Sequence, residues 1–181
     1  MNKTLVLYFS KYGTTKKYSE WIAEDLNGNI FDIKYKNKIR LNEYDTIVLG
    51  SGLYAGSIKG INLLVKNFEK IKGKKLIIFT CGLADCSKTE NIDNINRRLF
   101  KVIPEKVLEK VKIFYLQGGI DYKKLSLKHK IMMAMLKYMV LKKGKDEMDD
   151  EDREFLHTYG QAVDFTERKN IDGIINYCRS N

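Results

Sequence analysis

The sequence predicts an α/β fold, a doubly wound sandwich with a five-stranded parallel sheet and helices on both faces. Three observations carry this reading. Five apolar, β-branched or aromatic runs recur, at Thr4–Phe9, Ile30–Tyr35, Thr46–Leu49, Lys75–Thr80 and Val111–Leu116. Segments between them repeat apolar residues at helical spacing. The runs are nearly continuous in apolar character, which marks strands buried on both faces and joined by helices.

The first run breaks at Ser10–Thr15 and resumes with Trp21, Ile22 and Leu26 at i, i+1 and i+5, so a strand passes through a short loop straight into a helix. Gly13 gives that loop conformational freedom, and small hydroxyl residues stand at the helix entrance. A second helix follows from Ile61, Leu64, Val65 and Phe68 at i, i+3, i+4 and i+7. The last is expected over Asn170–Cys178, with Ile171, Ile174, Ile175 and Cys178 on one face.

A chain of 181 residues builds one full core without staples, so residues 1–181 read as a single domain with an extension at roughly 121–165. Three cysteines cannot all pair, and the first apolar run is too short for a signal-peptide core or a membrane span. Both features suit a cytoplasmic protein with reduced thiols. The net charge of +10 is uneven: residues 1–120 carry +9, residues 121–145 carry +7, residues 146–154 carry −6, and the remainder balances. Such a body favours anionic partners. Nucleic acid is not expected among them, because the basic residues do not interleave with aromatics and no reader motif is present.

In an open parallel sheet, ligands bind at the carboxyl ends of the strands near the point where strand order reverses. Four glycine-bearing loops follow predicted strands: SKYGTT at Ser10–Thr15, GSGLYAGSIKG at Gly50–Gly60, TCGLADC at Thr80–Cys86 and QGGIDY at Gln117–Tyr122. The first has neither a Gly-x-Gly-x-x-Gly pattern nor a Lys-Ser/Thr ending, which argues against a dinucleotide or an NTP. A Ser-x-x-Gly-x-Thr turn at a helix entrance suits one phosphate monoester, with the hydroxyls of Ser10, Thr14 and Thr15 joining backbone N–H groups. A flat aromatic group attached to that phosphate would lie across the second and third loops.

On these residues the chain resembles flavodoxins. YFSKYGTTKKYSEWIAEDL matches their phosphate-binding turn, and IVLGSGLYAGSIKGINLLVKNFEK and IIFTCGLAD stand where their flavin-flanking loops do. The resemblance implies strand order 2-1-3-4-5 and FMN as cofactor. By the same carry-over Ser10, Tyr12, Gly13, Thr14 and Thr15 hold the phosphate. Ser51, Gly52, Leu53 and Tyr54, with Ala55 and Gly56 of the same loop, line one side of the flavin, and Cys81, Gly82 and Leu83 the other. A narrower resemblance, carried by GSGLYAGSIKGINLLVKNF and QGGIDYKKLSLKHKIMMAMLKYM, is to the flavodoxin-domain branch that includes quinone-linked protoporphyrinogen oxidases. It implies an oxidoreductase in which FMN does the chemistry, with a porphyrinogen and a quinone as reaction partners. The alternative is a flavodoxin passing single electrons between redox partner proteins. Flavodoxin carriers tend to be acidic, so the +9 body leans toward the enzyme.

The remaining motifs are weighed on their residues. Ile131, Met132, Met135, Leu136, Met139 and Val140 form a helical stripe, widened by Met133 and Leu141, that either packs as core or meets a membrane, quinone or partner through residues 123–145. The run DEMDDEDRE lacks the rhythm of a calcium loop and reads as a solvated loop or helix start paired with the preceding lysines. Cys81 and Cys86, spaced C-x4-C without a second pair, do not predict zinc, and His129 and His157 belong to no catalytic constellation. No metal ligand and no catalytic side chain is assigned.

Overall fold

The computed structural model describes residues 3–54, 57–144, 146–148 and 150–180. Its elements in chain order are β1 Thr4–Phe9, α1 Thr14–Asp25, β2 Asn29–Asp32, β3 Thr46–Tyr54, β4 Ser57–Ile58, α2 Ile61–Ile71, β5 Lys75–Gly82, α3 Thr89–Leu99, α4 Glu105–Leu108, β6 Val111–Gln117, β7 Gly119–Asp121, α5 Leu127–Leu141, α6 Asp150–Thr158, β8 Ala162–Asp164 and α7 Asp172–Arg179. The main sheet runs β2-β1-β3-β5-β6 with every neighbour parallel, and β4 is a short antiparallel addition to β3. Counted over the five parallel strands this is the order 2-1-3-4-5, with β1 at the point where the order reverses.

Period-two alternation sorts the strand residues onto two cores. Leu5, Leu7, Ile47, Leu49, Leu76 and Ile78 pack with Ile61, Leu64 and Phe68 of α2 and Ile95 and Leu99 of α3. Val6, Val48, Ile77 and Phe79 face the other way, against Tyr18 and Ile22 of α1 and Ile174, Ile175 and Cys178 of α7. Lys75 ties α7 to the sheet, its ammonium donating to the carbonyls of Tyr177 at 3.1 Å and Cys178 at 3.3 Å, and to that of Ser180. A cation among the last carbonyls of a helix complements their partial negative charge.

Four strands differ in length from their sequence expectation; β5 and β6 run on only slightly, to Gly82 and Gln117, while β2 and β3 change more. β2 stops at Asp32 because the Asp32 carboxylate accepts from the Lys34 N–H at 2.9 Å, an Asx turn that sends Ile33–Lys38 into a 3-10 helix. β3 continues through the glycines to Tyr54, since Gly50, Ser51 and Gly52 stay in register with Phe79, Thr80 and Cys81 of β5. Glycine is required at the first of these positions: a Cβ on Gly50 would stand 2.2 Å from Cζ of Phe79.

The chain forms two compact units, one of residues 1–118 with 166–181 and one of Gly119–Phe165. The segment read as an extension, roughly 121–165, lies in the second. That unit pairs β7 with β8 antiparallel and sets the Tyr159 ring tilted against Tyr122 and edge-on to Phe155. Its acidic run opens α6, and Asp152 pairs with Lys143 at 2.5 Å. Among the described residues no helix is long and apolar enough to cross a membrane.

Gly50→Ala is expected to lower stability by about 1–3 kcal/mol in urea unfolding through overpacking against Phe79. Adding Phe79→Leu is expected to return part of the loss. An unchanged midpoint for Gly50→Ala would contradict the contact.

Candidate functional site

Parallel register brings four strand ends to one edge. Phe9 pairs with Ser51, Ser51 with Thr80, Cys81 with Leu116 and Gly82 with Gln117, so the loops after β1, β3, β5 and β6 emerge together. The loop after β1 is the tightest. Ser10 Oγ accepts from the Gly13 N–H at 3.0 Å, and Gly13 adopts φ 102°, a left-handed conformation that an L side chain rarely takes.

Helix α1 starts directly after Gly13, and its first backbone bond runs from the Lys17 N–H to the Gly13 carbonyl at 2.9 Å. The N–H groups of Thr14, Thr15 and Lys16 precede that bond and carry the positive end of the helix dipole. Thr15 is 1% exposed, and its Oγ1 has no hydrogen-bond partner among the described residues. A buried hydroxyl left in that state is destabilising unless a ligand completes it. Three lysines stand in the same turn: Lys11 beside the Tyr12 ring, Lys16 paired with Glu20 at 3.4 Å, and Lys17 donating to Thr166 Oγ1 at 2.7 Å.

The other loops close in behind. Cys81 is buried at the end of β5, and its thiol donates to Thr14 Oγ1 at 3.5 Å. Gly118 fits against both: a Cβ there would stand 2.6 Å from Cys81 Sγ and 3.2 Å from Thr14 Oγ1. Its N–H donates to the Gly82 carbonyl at 2.6 Å. Tyr18 fixes α1 from beneath, donating to the Gln117 carbonyl at 2.7 Å while accepting from Asn170 Nδ2 at 3.1 Å.

The structure thus gathers Ser10, Tyr12, Gly13, Thr14 and Thr15 into one turn and sets Cys81 against it. Ser51 is fully buried, and its hydroxyl is engaged within its own loop, accepting from the Lys59 N–H at 3.0 Å and donating to the Gly52 carbonyl at 3.2 Å. It therefore shapes the loop after β3 rather than presenting its hydroxyl outward. Leu53 and Gly82, expected on opposite sides of a flat ligand, are neighbours: a Cβ on Gly82 would lie 3.3 Å from Leu53 Cδ1. Extension of β3 past Gly52 is the reason, since Gly52 pairs with Cys81 and Leu53 follows beside Gly82. Leu83 is exposed, with its carbonyl accepting from Gln117 Nε2 at 3.1 Å. Ala55 and Gly56 lie outside the described residues, as does the side chain of Tyr54.

Gly118, Tyr18 and Asn170 were not assigned from sequence. Only the glycine pair in QGGIDY signalled the first, and no local pattern marks a contact between residues 18, 117 and 170. Among the described residues no cluster of side chains could hold a metal. Burial, with Cys81 and Asp85 nearby, pushes the Cys86 thiol up to about 11.

Fold and turn together define an α/β protein with a hydroxyl-bearing turn and a helix N-terminus at the switch point of its sheet. The profile of the flavodoxin domain matches residues 5–149, and the chain belongs to that family. It is 31% identical over 127 residues to an uncharacterized protein of Methanocaldococcus jannaschii, covering 66% of this chain and 85% of that one. Among solved structures it is similar to the oxidised flavodoxin 2 of Bacillus cereus, at 21% identity and TM-score 0.43, covering 64% of this chain and 84% of that one. It is also similar to a flavoprotein in complex with FMN from Lactobacillus acidophilus, at 18% identity and TM-score 0.40, covering 65% and 93%.

In the ligand-free protein, Thr15→Val is expected to raise stability by about 1 kcal/mol in urea unfolding, because it removes an unpartnered buried hydroxyl at nearly constant volume. A clear loss of stability would mean that the hydroxyl already has a partner. Folded Cys86 is expected to react with iodoacetamide at about pH 8 roughly a hundredfold more slowly than the unfolded chain, in line with its reduced thiolate fraction. Equal rates by peptide mass mapping would contradict its buried setting.

Proposed function

We propose that the chain binds FMN and serves as a flavin-dependent redox protein, with the turn Ser10–Thr15 holding the phosphate. The observation that carries this reading is the buried Thr15 Oγ1 at the N-terminus of α1, unpartnered among the described residues. A phosphate monoester supplies the acceptor that hydroxyl lacks, and the free N–H groups of the first turn and the nearby lysines supply matching positive charge. Gly13 gives the anion close access to backbone, and the Cys81 thiol holds the Thr14 side chain in place.

FMN, when bound, supplies one- or two-electron transfer. The protein's part is to hold it and to choose its reaction partner. The loops after β3 and β5, through Leu53, Tyr54, Gly82 and Leu83, are the segments available to border the ring system. The finer reading is a quinone-linked oxidoreductase of the protoporphyrinogen-oxidase type. It is supported by the +9 charge of residues 1–120, which suits a propionate-bearing porphyrinogen better than it suits an acidic carrier. The competing reading is a carrier that docks an acidic redox protein on the same charge. Protein reduced under anaerobic conditions distinguishes them: reoxidation by a menaquinone analogue and reduction by protoporphyrinogen support the enzyme, and indifference to both supports the carrier.

Thr15→Val is expected to weaken FMN binding about ten- to hundredfold, from loss of one charge-assisted hydrogen bond, while leaving riboflavin affinity unchanged. Fluorescence titration measures both. Unchanged FMN affinity would refute the phosphate assignment, and a parallel loss for riboflavin would move the role of Thr15 to the ring.

A further inference from the structure

Helix α5 presents a line of apolar side chains to solvent. Leu127, Ile131, Met135 and Met139 follow one another at i+4, with Tyr138 beside them, and their exposures run from 53% to 74%. Val140, on the opposite side of the helix, is 4% exposed. The helix is therefore anchored by one side and leaves uncovered an apolar face of the kind that soluble surfaces rarely carry.

Lysines surround that face. Residues 121–145 hold eight Lys against one Asp. Lys124 is committed to Asp121 at 3.3 Å and Lys143 to Asp152 at 2.5 Å. Lys123, Lys128 and Lys130 are exposed without an ion pair among the described residues, and Lys142 lies over the Tyr138 ring at 4.7 Å. The collar thus keeps net positive charge after the local acids are counted.

We propose that α5 docks in plane on an anionic lipid surface. An apolar line with a lysine collar and a tyrosine at its edge meets both layers of such a surface, acyl chains under the line and phosphates around the rim. At 15 residues the helix is about 22 Å long, shorter than the hydrocarbon thickness, so it lies along the interface rather than across it. A second copy meeting the same face would set one lysine collar against another, which disfavours self-association. This proposal is independent of the flavin reading, since α5 belongs to the second compact unit.

The test is co-sedimentation of the full chain with vesicles of equal phosphatidylglycerol and phosphatidylcholine, beside vesicles of phosphatidylcholine alone. Binding is expected to the first set only and to weaken as salt rises. Met135→Glu with Met139→Glu is expected to reduce it at least about tenfold. Both positions face solvent, so folding is retained and is checked by circular dichroism. Lys128→Glu with Lys130→Glu is expected to lower the partition into the anionic vesicles. Absence of binding by the parent chain, or equal binding by the Met135/Met139 variant, would overturn the proposal. A dimer that the same variant dissolves, without vesicle binding, would also overturn it and assign the face to a second copy.

Discussion

The parallel ladder through β1, β3, β5 and β6 is the constraint on which the main compact unit depends. Parallel strands need crossover connections, the connections are helices, and helices on both faces force each strand to be apolar on both sides. Val48 and Leu49, adjacent in sequence, consequently serve two different cores. The same ladder delivers the strand ends to one edge in register. The Phe79 ring occupies the space a Cβ at Gly50 would need, and with glycine there the pairing continues to Gly52 and Cys81.

Placement of the strand ends explains why the turn after β1 is so closely held. Thr14 meets Cys81 from β5, Gly118 directly after β6 fits against both, and Tyr18 hangs α1 from the Gln117 carbonyl at the end of β6. A turn braced from β5 and from the end of β6 is preorganised, so little ordering would remain to oppose a ligand there. Under the proposed function the Thr15 hydroxyl, unpartnered among the described residues, is the counterpart of that rigidity: a phosphate acceptor would recover the stability its burial costs, so stability and affinity would pull in opposite directions at this one oxygen.

Much of this architecture was legible in the sequence because it rests on local pattern. The strand at Thr4–Phe9 is found as expected, and Ile171, Ile174, Ile175 and Cys178 share a buried face as their spacing implies. The Ser-x-x-Gly-x-Thr segment is found as the strand-to-helix loop that its glycine and hydroxyls imply. Contacts between distant residues were not legible. Nothing near Ser51 shows that its hydroxyl would be engaged by the Lys59 N–H, and nothing near Gly118 shows that Cys81 would fill its Cβ space. Helix α5 is apolar almost all round, so its spacing could not separate the side that packs from the side that faces solvent; Val140 buried and Met139 exposed are a structural result.

The central claim is that the turn Ser10–Thr15 is a phosphate site, and amide NMR with inorganic phosphate tests it without any flavin chemistry. Saturable shifts are expected in the Gly13, Thr14, Thr15 and Lys16 amides, and the same four amides are expected to stay shifted when FMN displaces the inorganic phosphate with its own. FMN binding that leaves those four amides unmoved, with shifts confined to other loops, would contradict it.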